Sequence, residues 1–582
     1  MVTTGQRARV GQALIVLLCL CLVGLIGRLV YINTTMAESL RDWSYRRQTQ
    51  VITIPGARGV ILDRRFRVLA GTRDEYCVFA DPRLIPDHNE AAELLAPVLG
   101  LPAKDIREKL ARPTSPAYVV LCRVKDDLRS ELAKLRLRGV QVQREPTRTY
   151  PMGNLAAHVL GYVGKDGKGL EGVELAFDSK LEAKPGRRVV FCDVHRRALF
   201  QEPNSYEPPQ NGLHVVLTID TAIQEKLEEQ LAERVTYHNA TSALGIVMNP
   251  KTGEVLAMAN YPTFDPANPG NISPEIRRNR ILTDPVEPGS VFKPYTMAGA
   301  LTDGVAKRTE VIYCHNGAYQ VGKRILRDSH PHGSLTVEQV MAMSSNIGMA
   351  ILGQRMTNPR IYHILHEFGF GEKTGIDLAG EDRGLMLPLR RWTSGSTLSV
   401  PMGQEIAVTP IQLVTAFSAI VNGGKLLKPR VVAAIVGDDG EILEDYTEPQ
   451  ERRRVLDPAI AREMTEILTT VVTSGTGRAC KLSHWQALGK TGTAQIPRIN
   501  QGRRGYEPGA YLASFIGAAP ARDPAVVVLI MVRHPKKNSY YGSQVALPGV
   551  REVLEFTLNY LNVPHDPPTG SDGAEVVLTS GD

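Results

Sequence analysis

A chain of 582 residues, of which 43% are hydrophobic and 22% charged, has room for several folded domains and lacks the composition of a disordered protein. Its net charge of +7 is small for this length, and arginine runs such as residues 452–454 are not interleaved with aromatic residues, which argues against nucleic-acid binding. Seven cysteines without a Cys-x-x-Cys pair exclude a disulfide framework, although a single bridge stays open.

The first predicted element is an apolar segment near the N-terminus. Residues 10–27 carry no charge, and as a helix these 18 residues would span about 27 Å, close to the hydrocarbon thickness of a bilayer. A cleavable signal peptide is the competing interpretation, but no small-x-small cleavage site follows the run. We therefore expect an uncleaved anchor over residues 10–32 after a short segment, residues 1–9, in which Arg7 and Arg9 suit a cytoplasmic location. Arginines flank the run on both sides, so charge alone leaves its orientation open.

Residues 33–203 are predicted to form a module of mixed α and β structure. Apolar and polar residues alternate over residues 51–81 between turn residues, which predicts short strands. Residues 89–139 show helical periodicity. Prolines and asparagines then collect between hydrophobic runs, which predicts a linker over residues 204–212.

A second folded module is predicted over residues 213–563. It opens with a strand and an amphipathic helix, for which Thr221 is the predicted N-cap. Two apolar runs around residues 249–253 then predict a hairpin. The Pro/Gly-rich residues 564–582 are expected to be a disordered tail.

Residues 287–293 read Glu-Pro-Gly-Ser-Val-Phe-Lys and place a serine and a lysine three positions apart. In a helix these positions share a face, so Lys293 could act as the base for the Ser290 hydroxyl. The ordinary interpretation is a helix-capping serine and a surface lysine. Because about one or two Ser-x-x-Lys strings are expected by chance in such a chain, the pair alone decides nothing.

Two further strings follow in the chain, Ser344-Ser345-Asn346 and Lys490-Thr491-Gly492-Thr493. The order Ser-x-x-Lys, Ser-x-Asn, Lys-Thr-Gly is the signature of penicillin-binding proteins and class A β-lactamases. Each string also has a suitable context, since Ser290 precedes an apolar helical run, Ser344 follows a helix and Lys490 precedes two apolar strands. The ordered set makes coincidence a poor explanation.

The chain resembles the class B penicillin-binding proteins from residue 58 to about residue 564. Segments similar to the family's catalytic domain are YPTFDPANP, EPGSVFKP, SSNIGMAIL, FGFGEKTGIDLAGE, VTPIQLVTAFSAIVNGG, VVTSGTGRA and LGKTGTAQ. Segments resembling its pedestal motifs are ARGVILDRRFRVLA, RTYPMGNLAAHVLGYVG and GLEGVE. One departure is Arg65-Phe66, where the pedestal motif usually has Asn-Gly, so the turn after Asp63 is expected to differ.

This resemblance implies an α/β (α+β) penicillin-binding transpeptidase fold, with an antiparallel sheet flanked by helices, on an elongated N-terminal pedestal behind one transmembrane helix. It also implies D-alanyl-D-alanine transpeptidation, which cross-links peptidoglycan stem peptides through an acyl-enzyme on Ser290, inhibition by β-lactams, and no cofactor. Arg58, Asp63, Glu171 and Glu174 in the pedestal are expected to be structural.

The implied roles follow acyl-transfer chemistry. Lys293 is the base for Ser290, Ser344 relays a proton, and Asn346 hydrogen-bonds to Lys293 or to the substrate amide. Three side chains bind the terminal carboxylate of the donor, namely Lys490, Thr491 and Thr493. Gly492 lets the strand approach the substrate, and the backbone N–H groups of Ser290 and Thr493 form the oxyanion hole.

The same resemblance implies a single-pass protein of the cytoplasmic (inner) membrane with its catalytic domain outside, a septal role in division, and a polytopic glycosyltransferase and other division proteins as partners. An elongation-specific enzyme is the alternative within the class. A β-lactam sensor should carry further membrane helices or a cytoplasmic effector, and only residues 1–9 precede the anchor. A β-lactamase needs a deacylating base, and no segment between Asn346 and Lys490 resembles its glutamate-bearing loop.

Two weaker patterns remain. Cys314, His315, Asp328, His330 and His332 lie near one another in sequence, but their spacing fits no familiar zinc pattern, so we interpret them as polar loop residues and expect no metal. Residues 499–509 carry three glycines and two arginines after the Lys-Thr-Gly strand, which predicts a mobile hairpin loop over the cleft or a solvated tip without function.

Overall fold

The computed structural model describes residues 4–111, 119–124, 127–193, 198–202, 204–498 and 505–567. The helices are α1 Thr4–Thr34, α2 Ala37–Gln48, α3 His88–Leu99, α4 Ala103–Ala111, α5 Arg129–Lys134, α6 Ala157–Leu160, α7 Gly172–Ala176, α8 Asp178–Leu181, α9 Thr221–His238, α10 Pro274–Arg277, α11 Arg280–Thr283, α12 Lys293–Thr302, α13 Val337–Ala342, α14 Asn346–Glu367, α15 Ser396–Ser399, α16 Pro410–Val421, α17 Pro458–Thr473, α18 Gly542–Val545 and α19 Leu547–Tyr560. The strands are β1 Thr49–Ile54, β2 Ile61–Leu62, β3 Val68–Ala80, β4 Val119–Val124, β5 Val140–Thr149, β6 Gly186–Cys192, β7 Ala198–Gln201, β8 His214–Leu217, β9 Ser242–Met248, β10 Val255–Tyr261, β11 Val311–Tyr313, β12 Ala318–Val321, β13 Arg324–Arg327, β14 Ser334–Thr336, β15 Lys425–Leu427, β16 Val432–Val436, β17 Ile442–Asp445, β18 Glu451–Arg454, β19 Leu488–Pro497, β20 Tyr506–Ala519 and β21 Val526–Arg533.

The chain divides into two compact units. The first comprises Met1–Ala57 and Ala183–Asn211, and the second comprises Arg58–Glu182 and Gly212–Asp582. Residues 33–203, predicted as one module, are therefore shared between both units.

In the first unit, α1 provides a helix long and apolar enough to cross a membrane. Its apolar part runs from Ala8 to Thr34, and these 27 residues would extend about 40 Å. The apolar side chains along it are exposed. Within the described ranges, no second helix combines this length with this apolar composition.

The first unit also contains α2 and a small antiparallel sheet of β1, β6 and β7. Thr49 lies opposite Phe191, and Ile54 lies opposite Gly186. The segment predicted as a linker is partly paired rather than free, since Gln210 forms a bridge with Lys184 and Glu207 forms one with Arg187.

The second unit contains a hydrogen-bonded cluster around Asp63, one of the residues predicted to be structural. Asp63 is fully buried. Its carboxylate accepts hydrogen bonds from the Arg67 side chain at 2.7 Å and from the Thr221 hydroxyl at 2.9 Å, at the start of α9. Backbone N–H groups of Arg65 and Arg67 also donate to it. Asp63 therefore connects the turn after β2 to α9.

The turn after Asp63 keeps a tight geometry despite lacking the usual Asn-Gly pair. Phe66 occupies a left-handed conformation with φ of 62°, and its N–H donates to Asp63 O at 2.9 Å. A non-glycine residue costs about 1 kcal/mol or more there. The network around Asp63 offsets that cost.

A second buried carboxylate has the same kind of role. Glu174 is fully buried and accepts hydrogen bonds from Arg58 at 2.8 Å and Arg148 at 2.7 Å. Arg58 also donates to the Glu174 carbonyl at 2.9 Å. Glu171 accepts from the Tyr162 hydroxyl at 3.2 Å. These contacts support the structural interpretation of Arg58, Glu171 and Glu174.

Removing the Asp63 carboxylate should destabilise the protein. Asp63→Ala leaves the donors of Arg67 and Thr221 without their buried acceptor, which should cost about 2–3 kcal/mol. Thermal unfolding of the full-length protein in detergent measures the loss, with the exposed Asp303→Ala as control. Equal transition temperatures for the two variants would contradict a structural role.

The same carboxylate gives a pH dependence with a defined sign. Burial raises the pKa of Asp63, but hydrogen bonds from Arg67, Arg65 and Thr221 outweigh burial and leave the pKa below its ordinary value. The stabilisation is therefore fully present above the unfolded pKa, about 3.9, and is lost as the pH falls through the lower folded pKa.

The second unit also contains an antiparallel sheet in the spatial order β10, β9, β21, β20, β19. The predicted hairpin is confirmed as β9 and β10, with Met248 opposite Val255. Helices α9 and α19 pack on one face, where Val247, Val528 and Ile530 contribute to the core. Helices α16 and α17 lie on the other face, where Ile246 and Leu529 contribute. The alternation of these side chains produces the two helical layers.

Two boundaries differ from the sequence prediction. The N-cap of α9 is Asp220, whose side chain accepts from the Ala222 N–H, because Thr221 is already helical and donates to Asp63. The start of the predicted tail is instead held by hydrogen bonds, because Trp485 Nε1 donates to Pro564 O at 2.8 Å and the Asp566 N–H donates to His484 O at 3.0 Å. Residues 568–582 lie outside the described residues.

Candidate active site

Ser290 lies on a short 3-10 turn, Gly289–Phe292, that leads directly into α12. The Lys293 N–H donates to Ser290 O, so the serine and the lysine are one helical turn apart, as predicted. Gly289 has φ of 60°, and a Cβ atom there would lie 3.0 Å from the Cβ of Ala494 on β19. The turn is thus held close against the Lys-Thr-Gly strand, and Ser290 itself is half-buried.

The Lys293 side chain is fully buried at the start of α12. Its Nζ donates to Ser344 O at 2.6 Å, to Asn346 Oδ1 at 2.8 Å and to Ser344 Oγ at 3.2 Å. Burial lowers the pKa of Lys293 to about 7, while the negative charge of Asp328 opposes this shift. A large fraction of Lys293 is therefore neutral near neutral pH, as a base for Ser290 requires.

Ser344 occupies the tight connection between α13 and α14. Its φ of 58° is left-handed, an unfavourable conformation for serine that the surrounding contacts maintain. The next residue, Ser345, caps α14 by accepting from the Gly348 N–H. This geometry turns the Ser344 hydroxyl toward the lysines instead of into the helix.

Asp328 holds the beginning of α14, a role that the sequence did not indicate. Its carboxylate accepts hydrogen bonds from the Asn346 N–H at 2.6 Å, the Ile347 N–H at 3.0 Å and the Ser345 hydroxyl at 2.6 Å. An acidic residue is stabilising at a helix N-terminus. In the described part of the chain, no group of three or more histidine, cysteine, aspartate or glutamate side chains is placed to hold a metal ion.

Lys490 approaches the same point from β19. It is fully buried, and its Nζ donates to Ser344 Oγ at 2.8 Å and to Thr491 O at 3.0 Å. Burial, reinforced by the nearby charge of Lys293, lowers the pKa of Lys490 well below its ordinary value. The Ser344 hydroxyl therefore lies between two buried amines, neither of which has an ion-pair partner within 4.0 Å among the described residues.

Strand β19 forms one edge of the sheet as far as the structure describes it. Lys490 lies opposite Ile516 and Thr493 lies opposite Ala513 on β20, so the other edge of β19 faces the nucleophile turn. A Cβ atom at Gly492 would come within 2.8 Å of Val291 Cγ1, so only glycine permits this approach. An edge strand can pair with an extended peptide through its free backbone groups.

The two threonines of the third string differ in their hydrogen bonds. Thr493 Oγ1 accepts from the Gly542 N–H at 3.1 Å, which leaves its proton available to a ligand. Thr491 Oγ1 lies 2.7 Å from the hydroxyl of Thr476, a residue that sequence analysis did not assign to the site. The signal was present, because Thr476 lies in the quoted segment VVTSGTGRA.

The structure thus brings all eight predicted site residues to one place. The second weak pattern, the predicted loop over residues 499–509, is described only from residue 505 onward. Residues 499–504 of the predicted loop are outside the described residues. The part from Tyr506 onward is not a loop, because β20 begins there.

Comparison with known proteins agrees with this architecture. The family model for the penicillin binding protein transpeptidase domain matches residues 243–555, and that for the penicillin-binding protein dimerisation domain matches residues 53–217. The probable peptidoglycan D,D-transpeptidase PenA of Neisseria meningitidis is 32% identical over 97% of this chain and 94% of that protein. The peptidoglycan D,D-transpeptidase FtsI of Escherichia coli is 29% identical over 97% of this chain and 95% of that protein.

Among solved structures, penicillin binding protein 3 from Mycobacterium tuberculosis, complexed with aztreonam, aligns with a TM-score of 0.66 at 29% identity. The alignment covers 89% of this chain and 99% of that one. With matches to both family models and relatives aligned over nearly the whole length, the chain belongs to the class B penicillin-binding proteins.

Proposed function

We propose that this protein is a peptidoglycan D,D-transpeptidase that cross-links stem peptides through an acyl-enzyme on Ser290. The observation that carries the proposal is the position of Ser344 Oγ, 3.2 Å from Lys293 Nζ and 2.8 Å from Lys490 Nζ. One hydroxyl between two buried amines of lowered pKa provides a path for a proton next to a serine nucleophile.

Acylation begins when neutral Lys293 takes the Ser290 proton and Oγ attacks the carbonyl carbon between the last two D-alanines. The N–H groups of Ser290 and Thr493 stabilise the negative oxygen of the tetrahedral intermediate. As the C–N bond breaks, the proton passes from Lys293 through Ser344 to the leaving amine, and D-alanine departs. The acyl group then remains on Ser290 as an ester.

Deacylation runs the same steps in reverse with a different amine. The amine of an acceptor stem peptide attacks the ester carbonyl, its proton passes through Ser344 to Lys293, and the Ser290 oxygen regains a proton as it leaves. The products are a new amide bond and the free enzyme. Asn346 keeps Lys293 in place throughout, because its Oδ1 accepts from Nζ at 2.8 Å.

The donor is held by its terminal carboxylate and by its backbone. Protonated Lys490 and the hydroxyls of Thr491 and Thr493 bind the carboxylate, and its negative charge favours the protonated lysine that burial alone disfavours. The edge of β19 that carries no neighbouring strand in the described part of the chain pairs with the extended peptide, and Gly492 lets the nucleophile turn lie close beside β19.

The test is covalent labelling together with turnover. Fluorescent penicillin should label one band at the mass of this chain in intact membranes, and Ser290→Ala should remove the label. The purified full-length enzyme in detergent should also exchange the terminal D-alanine of a stem-peptide donor for a labelled D-amino acid. Labelling without any exchange would refute transpeptidation and leave a penicillin-binding protein of another activity.

The location and cellular role belong to the same proposal. Helix α1 anchors the protein once in the cytoplasmic membrane, and the catalytic domain lies outside, where the stem peptides are. The segments SSNIGMAILGQRM and FGFGEKTGIDLAGE support septal synthesis during division, with a polytopic glycosyltransferase as membrane partner. Depletion should then give undivided filaments, whereas rounded cells would indicate the elongation-specific alternative.

A further inference from the structure

We propose that Thr476 is a positioning residue whose hydroxyl orients the Thr491 hydroxyl toward the terminal carboxylate of the donor peptide. The proposal rests on the transpeptidase function proposed above and adds a residue outside the three motifs to the carboxylate site. Its basis is the 2.7 Å contact between Thr476 Oγ1 and Thr491 Oγ1.

Thr476 is held in place by a backbone contact with the end of α13, two residues before Ser344. It lies on the turn after α17, and its N–H donates to the carbonyl of Ala342 at 3.1 Å, at the end of α13. A Cβ atom on the preceding Gly475 would lie 2.3 Å from that same carbonyl. The turn therefore sits directly on α13, and the Thr476 side chain extends from there to β19.

The direction of the hydrogen bond follows from the charges around Thr491. A hydroxyl has one proton. If Thr491 donated that proton to Thr476, its oxygen would present only lone pairs to an arriving carboxylate. Lys490 Nζ already donates to Thr491 Oγ1 at 3.4 Å, so the Thr491 oxygen accepts a hydrogen bond within the protein. This favours Thr491 as the acceptor of the hydrogen bond with Thr476 as well.

When a carboxylate is bound, Thr491 must donate its proton to it, because lone pairs would otherwise face each other. Thr476 then donates to Thr491, so the two hydrogen bonds form a chain. Hydrogen bonds arranged in such a chain polarise one another, so the Thr491 proton becomes a stronger donor. Thr476 therefore acts on the substrate through Thr491. Its loss should weaken carboxylate recognition while leaving Lys293, Ser344 and Ser290 in place.

The experiment compares two donor peptides that differ at one group. One ends in the free carboxylate of D-alanine and the other in the corresponding amide, and kcat/KM is measured for both with the full-length enzyme in detergent. The ratio of the two values reports recognition of the carboxylate and is independent of the fraction of enzyme that is folded. The wild-type enzyme should prefer the carboxylate donor.

Thr476→Val, which keeps the shape and removes the hydroxyl, should lower this ratio about tenfold, mainly through KM, because Thr491 is then no longer oriented for its hydrogen bond to the charged carboxylate. Thr476→Ala should lower the ratio as much as Thr476→Val does. Thr476→Ser, which keeps a hydroxyl, should restore the wild-type ratio. The exposed Thr473→Val, three residues earlier on α17, is the matched control and should behave as wild type.

The outcomes separate this inference from the function on which it rests. A wild-type ratio in Thr476→Val, or failure of Thr476→Ser to restore the ratio, overturns the role of Thr476. Equal use of the two donors by the wild-type enzyme overturns it as well, because the carboxylate would then not be recognised. Exchange of neither donor by the wild-type enzyme instead refutes the proposed transpeptidation.

Discussion

Lys293→Ala should acylate with benzylpenicillin about 10²- to 10⁴-fold more slowly than the wild-type enzyme, the range expected when a general base is removed. Lys293 is fully buried, and its Nζ contacts Ser344 and Asn346, so no water or other side chain can readily replace its amine. Stopped-flow acylation of the full-length protein in detergent measures the rate constant.

Lys293→Arg distinguishes two possible roles of Lys293, namely a base that accepts a proton and a positive charge that maintains the site. Arginine keeps the positive charge and can donate hydrogen bonds, but it does not deprotonate in proteins and cannot accept the Ser290 proton. Both variants should therefore be slow, whereas the exposed Lys307→Ala should react at the wild-type rate. Acylation of Lys293→Arg at near wild-type rate would show that the charge, and not the neutral amine, is what the site needs.

The pH dependence of acylation should reflect the same amine. Because burial lowers the pKa of Lys293 to about 7, the reactive neutral form predominates above that pH. The rate constant should rise with pH, about tenfold per unit below pH 7, as the neutral form of Lys293 accumulates. A rate that falls over this range would contradict the assignment of Lys293 as the base.

The sequence could single out the eight candidate residues that the structure brings together because they lie in short strings whose order and spacing are specific. The placement of Ser290 and Lys293 one helical turn apart depends only on neighbouring residues, and the structure shows this placement. The hairpin of β9 and β10 also follows from a local pattern, a turn between two apolar runs. Local geometry of this kind is encoded within a few residues.

The contacts that complete the site were not predictable because their partners are distant in sequence. From the sequence, Asp328 is interpreted as a polar loop residue, since nothing near it indicates that it binds the start of α14, 18 residues later. Asp220 replaces Thr221 as the N-cap because Asp63, 158 residues earlier, accepts the Thr221 hydroxyl. Thr476 reaches Thr491 only because α17 and β19 pack together.

The two buried lysines explain why the site depends on such distant support. A buried amine is unfavourable unless it is neutral or hydrogen-bonded, and burial lowers the pKa of both Lys293 and Lys490, with the charge of Lys293 lowering the pKa of Lys490 further. Ser344, in its unfavourable left-handed conformation, accepts from both. Asp328 and Ser345 hold that conformation by fixing the start of α14.

A short pulse of benzylpenicillin should leave a covalent adduct on Ser290 that persists for many minutes. The β-lactam resembles the donor, so the same amines and threonines that act on D-alanyl-D-alanine should open its ring. In the peptide reaction the leaving D-alanine departs and an acceptor amine can enter. With a β-lactam, the opened ring stays attached and blocks that approach.

Hydrolysis of this adduct would need a base that activates water, and the carboxylates near the site are already engaged. Asp328 accepts three hydrogen bonds at the start of α14. Glu287, three residues before Ser290, accepts from the Tyr506 hydroxyl at 3.0 Å and from the Glu405 N–H at 3.3 Å. Both carboxylates are thus occupied by contacts that maintain the structure, so the ester should be long-lived.

Intact-mass spectrometry at intervals after the pulse measures the lifetime. The mass should increase by one molecule of benzylpenicillin and return slowly, Lys293→Ala should gain the adduct far more slowly, and Ser290→Ala should gain none. A rapid return to the unmodified mass, with antibiotic consumed in excess of enzyme, would show that a base does reach the ester and would make the protein a hydrolase. An adduct that survives Ser290→Ala would show that another residue is the nucleophile. Ser290 is the only residue with a hydroxyl in the turn Gly289–Phe292, so that nucleophile would lie outside this turn.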